Sequence, residues 1–150
     1  MLSKSLENGT RTWTSPNGEL RQWCPAPHVL VLRFSGPLFD VAFSRVAVTV
    51  IHEFIAANRG KVDIFHDWEA MELYTTEART ELTELGMQVA ARLSSLSVLV
   101  GSSLIKMGVT MASIKLGGIR VFATREELDQ AVREAVEARG LPYTPLPSEP

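Results

Sequence analysis

A chain of 150 residues, 45% hydrophobic and 21% charged, has the size and balance of one folded domain and excludes disorder except at its ends. Its net charge of −2 argues against the broad basic face that general nucleic-acid binding needs. No apolar run approaches the roughly 18 residues of a membrane span, the opening MLSKSLENGTRTW has no secretory core, and a lone cysteine, Cys24, cannot form an internal disulfide, so a reducing cytoplasm is expected.

In chain order, residues 1–9 lack periodicity and read as a flexible N-terminus. Two short polar and aromatic runs, TRTWT and ELRQW, flank a Pro-Asn-Gly turn signal and predict a hairpin with strands near 10–14 and 19–23. HVLVLRF at 28–34 is nearly continuous apolar sequence, as in a strand covered on both faces. Asp40 then caps a helix whose apolar positions are Phe39, Phe43, Val46, Val50 and Phe54, and Asn58-Arg59-Gly60 stops it. A strand over 61–66 carries Val62, Ile64 and Phe65 and is expected to break at Asp67 into an acidic loop.

Behind Thr75 and Thr76, the apolar residues Ala78, Leu82, Leu85, Val89 and Leu93 follow helical spacing. A short buried strand at 97–100 leads through Gly101-Ser102-Ser103 into a helix over about 103–115, which Gly108, Val109 and Thr110 weaken. Gly117-Gly118 ends it, 119–122 is the last strand, and Thr124 with Glu127 forms a capping box for a helix bearing Leu128, Ala131, Val132 and Val136. Residues 141–150, with four prolines, read as an extended, flexible tail. Single helices between strands predict an α/β domain over 10–140: a central, mostly parallel sheet with an N-terminal edge hairpin and about four helices.

That order, with the central strand ending in Gly36 before an Asp40-led helix, resembles the STAS domain, the fold of bacterial anti-sigma-factor antagonists. The resemblance implies a non-enzymatic interaction module in signalling. It also implies that a helix-capping Ser or Thr after the strand at 61–67 is phosphorylated by a partner kinase, with phosphorylation controlling docking. Asp67 is similar to the family's aspartate, and Thr75 or Thr76 takes the helix-start position. In place of the family's compact Asp-Ser-Ser/Thr-Gly turn, the eight residues WEAMELYT separate Asp67 from Thr76.

From Asp63 to Glu84 there are seven acids and one base, Arg79, which suits either a basic or neutral partner or an ordinary solvated helix face. The expected docking surface is the loop 67–77, with Asp67, Trp68, Glu69, Glu72, Tyr74, Thr75, Thr76 and Glu77 as contacts. Trp68 and Tyr74 anchor a partner or plug the loop onto the body, and Thr75 and Thr76 are helix caps or phosphorylation sites. The partner would be a kinase, an anti-sigma-like or other signalling protein, or a second copy of the chain. No cofactor or metal is expected, and no nucleic-acid or membrane partner. The other reading is a small-ligand or enzymatic domain with a pocket near His66 and Asp67. Strand alternation, however, sets those two side chains on opposite faces.

Overall fold

A computed structural model describes residues 2–143. The part of the expected proline-rich tail beyond Tyr143 lies outside the described residues. Seven strands, β1 (Ser3–Glu7), β2 (Thr10–Ser15), β3 (Gly18–Ala26), β4 (Val29–Gly36), β5 (Val62–Met71), β6 (Leu93–Val100) and β7 (Arg120–Phe122), lie side by side in chain order. β1 to β4 pair antiparallel and β4 to β7 parallel. The helices are α1 (Val41–Ala57), α2 (Thr76–Val89), α3 (Ser103–Leu116) and α4 (Arg125–Glu137).

Because the parallel strands advance in one direction, right-handed crossovers place α1, α2 and α3 on one face. Their buried residues share a core with Leu30, Leu32, Phe34, Ile64 and Val98. The helix that follows β7, α4, packs on the other face, against Val29, Val31, Phe65 and Leu99. Central β4 is therefore apolar on both sides, as its sequence predicts.

The helix starts follow local chemistry. Asp40, Thr75, Ser102 and Thr124 each accept the backbone N–H three residues on, and Glu127 completes the capping box at Thr124. Asp40 also holds the hairpin turn, since Asn17 Nδ2 donates to its second oxygen at 2.8 Å.

Three expectations are corrected. Residues 1–9 contain β1, whose five residues are all exposed; backbone pairing with β2 suffices to form it, so no apolar pattern marks it. The Leu93 assigned to the second helix opens β6, because Arg92 is drawn away to donate to the carbonyls of Ile55, Asn58 and Gly60 after a single turn over Ala90–Arg92. Most consequentially, the strand at 61–66 does not break at Asp67. β5 continues to Met71, hydrogen-bonded to β4 and β6, and its pairing with β4 shifts register beyond Asp67.

Candidate functional site

The carboxyl half of β5 divides the predicted site residues between the two faces of the sheet and its outer edge. Asp67 points toward α4. Its carboxylate is 1% exposed and accepts from Arg33 Nε at 2.8 Å and Arg125 Nη1 at 2.7 Å through the same oxygen. Arg125 Nη2 also donates to Glu69 at 2.9 Å. Burial opposes the Arg125 charge, but the bonds and charge of Asp67, then of Glu69, outweigh it and raise its pKa. Asp129, one turn along α4, completes the cluster. Burial raises its pKa despite Arg125 and Arg33, and its Oδ1 has no hydrogen-bond partner among the described residues. Asp67 is thus a clamp between strands and α4, not an exposed docking contact as expected.

His66 points the opposite way, into the core beneath α2 and α3. The pair therefore cannot act on one substrate, and the strand alternation read from the sequence holds. Burial pushes the His66 pKa down to about 4, so the ring is neutral at ordinary pH. Its imidazole lies 5.0 Å from the Trp68 ring, which in turn lies 6.1 Å from Phe39. Trp68 is half-buried and plugs the body.

Tyr74 does the same. It bridges to Phe39, stacks under Arg79 at 5.8 Å, and sends its hydroxyl against α3 where Gly108 lacks a side chain; a Cβ there would overlap it. This explains a glycine in mid-helix that the sequence presents only as a weakness. Gly101 has a similar role, since a Cβ would collide with the Glu69 carbonyl at the end of β5.

The connection to α2 is the four residues 72–75 alone. It is pinned at three points: Glu72 N–H to Gly36, Phe39 N–H to Leu73, and Thr75 N–H to Phe39, at 3.1, 2.9 and 3.0 Å. Its exposed residues are Glu72 and Leu73, followed by Thr76 and Glu77 on α2 and preceded by Glu69 and Ala70 on β5. Leu73, 50% exposed, is not among the residues singled out from the sequence; an apolar side chain next to Glu72 was its only signal. The Thr75 hydroxyl accepts from Ala78 N–H at 3.1 Å as a cap, and the Thr76 side chain faces outward.

Beneath α2 and α3, His66, Trp68 and Tyr74 line a half-enclosed apolar cavity of about 70 Å³. Among the described residues no group of three or more His, Cys, Asp or Glu side chains is placed to hold a metal ion, and no helix is long and apolar enough to cross a membrane.

No protein-family model matches the chain, and no curated protein matches it. Solved structures share its architecture, among them these two. One is an uncharacterized protein with a SpoIIAA-like fold from Shewanella loihica, at 9% identity and a TM-score of 0.54 over 87% of this chain and 91% of that one. The other is the anti-sigma factor antagonist SpoIIAA in its unphosphorylated form, at 16% identity and a TM-score of 0.55 over 76% of this chain and 97% of that one. The chain therefore has the STAS-like fold that its element order implies.

Proposed function

We propose that this chain is a non-enzymatic STAS-like interaction module of bacterial signalling, acting in the cytoplasm, that docks a regulatory protein along the edge from Glu69 to Glu77. The observation that carries the reading is Leu73, half-exposed next to exposed Glu72 and four residues before exposed Glu77, on backbone tied down by three hydrogen bonds. A pre-ordered apolar side chain on an acidic segment loses little entropy on binding and selects a partner with an apolar pocket and a basic rim. The likeness to SpoIIAA supports a kinase or anti-sigma-like protein as that partner. Trp68, Tyr74 and Asp67 support the edge from behind.

In this reading the phosphorylated hydroxyl is that of Thr76, which faces solvent at the first turn of α2. The helix terminus favours a phosphate there, while Glu72 and Glu77 repel it, so the modification would release a partner more readily than attract one.

The test is capture from lysate of the source organism by the wild type and by a Glu72→Lys, Leu73→Ser, Glu77→Lys variant. All three positions are exposed and none is in the Asp67 cluster, so the fold, checked by circular dichroism, is retained. A specific partner should be lost from the variant and from the wild type at high salt. Equal recovery of every protein by both chains defeats the docking reading. Chain isolated from its own cells should carry one phosphate on Thr76, and uniformly unmodified protein removes that part.

A further inference from the structure

We propose that the cavity between α2, α3 and the sheet binds a slim apolar molecule, a short chain or single ring, carrying one hydroxyl that hydrogen-bonds to the imidazole of His66. The site is distinct from the docking edge and does not rest on it. Its walls are apolar side chains such as Ile64, Leu85, Val98, Ile105 and Val109. Protein interiors leave few voids larger than a water molecule, so a cavity of about 70 Å³ in a core otherwise filled is a feature to explain. Loose helices do not explain it. α2 and α3 meet where Gly86 admits the Leu116 side chain, too closely for a Cβ, and α3 meets Tyr74 at Gly108, yet the space beneath stays open.

The His66 imidazole is among the polar groups that line this largely apolar space. His66 is 7% exposed, contacts the Trp68 ring, and has no hydrogen bond to any described residue. Water satisfies such a group poorly here, because a bound water needs two to four polar partners and the space is lined mostly by apolar side chains. A neutral imidazole offers one N–H donor and one lone pair, and a single hydroxyl can meet one of them, donating to the lone pair or accepting from the N–H, while the rest of the molecule fills the apolar space. The volume sets the size. An apolar cavity of about 150 Å³ takes a benzene ring, so this smaller space, with half-buried Arg79 and Thr83 in its lining, takes a chain of a few carbons or part of a ring.

The experiment is titration of the full chain with phenol, 1-butanol and toluene, followed by backbone amide and imidazole nitrogen resonances. Saturable shifts should cluster at Ile64, Leu85, Val98, Ile105 and Val109, the His66 ring nitrogen should move with phenol and butanol, and phenol should bind about tenfold more tightly than toluene, of near-equal shape. A folded His66→Phe chain should lose that preference. The wild-type comparison decides the matter even if that variant does not fold. Absence of saturation, shifts confined to exposed Met107, Met111 and Ile114, or equal affinity for phenol and toluene would each overturn the assignment.

Discussion

Replacing Asp67 by asparagine keeps the size of the side chain and removes the charge shared by two guanidiniums. Their nitrogens lie 2.8 and 2.7 Å from one carboxylate oxygen. The two halves of this clamp differ in worth. The Arg125 side chain is 32% exposed, keeps Glu69 at 2.9 Å and can turn to water, so its share is that of a surface pair, under about 1 kcal/mol. Arg33 is buried, and removing the anion from a buried pair costs about 3–5 kcal/mol. The amide oxygen of asparagine still accepts one hydrogen bond, which lowers that figure. We expect Asp67→Asn to destabilise the fold by about 3 kcal/mol and Arg125→Ala by about 1 kcal/mol. Urea unfolding at neutral pH, followed by tryptophan fluorescence, measures both as midpoint changes at constant slope. If Asp67 were a solvent-facing docking residue, the exchange would leave stability within about 0.5 kcal/mol of wild type. That result would refute the clamp.

The buried His66 imidazole stays neutral down to about pH 4, whereas the unfolded chain takes up that proton near 6.5. The unfolded state therefore binds more protons in this window, and stability falls as pH drops from 6.5 toward 4, by roughly 3 kcal/mol when complete. A His66→Leu chain should lack this component, and equal pH slopes of unfolding free energy in the two chains would contradict it. Gly108→Ala gains about 1 kcal/mol of helix propensity but drives a methyl group into the Tyr74 hydroxyl, so a net loss of about 1–3 kcal/mol is expected by thermal unfolding. Adding Tyr74→Phe should recover part of it, and no recovery would place the clash elsewhere. Thr75→Ala should cost about 1 kcal/mol as a lost cap, while Thr76→Ala should fall within about 0.5 kcal/mol of wild type; the reverse order in chemical denaturation would mean the caps are misassigned.

What the amino-acid sequence determined was whatever depends on near neighbours. The caps at Asp40, Thr75, Ser102 and Thr124 and the box with Glu127 involve partners three residues apart. The doubly apolar β4 and the stripe of α4 show as hydrophobic periodicity, and their alternation implied the STAS-like architecture. The site was less legible, because its decisive contacts are remote. Asp67-Trp68-Glu69 looks like loop, since acids are depleted in strands. It is strand because β4 and β6 supply ladder partners on both sides and Arg125, 58 residues away, neutralises the carboxylate. Likewise Gly108 reads as a helix fault until Tyr74 is seen against it, and β1 is invisible because backbone pairing carries no side-chain signature. Tertiary structure alone decided which side of β5 faces which helix. That choice sent Asp67 to the arginines, His66 to the cavity, and left Leu73 next to Glu72 at the surface.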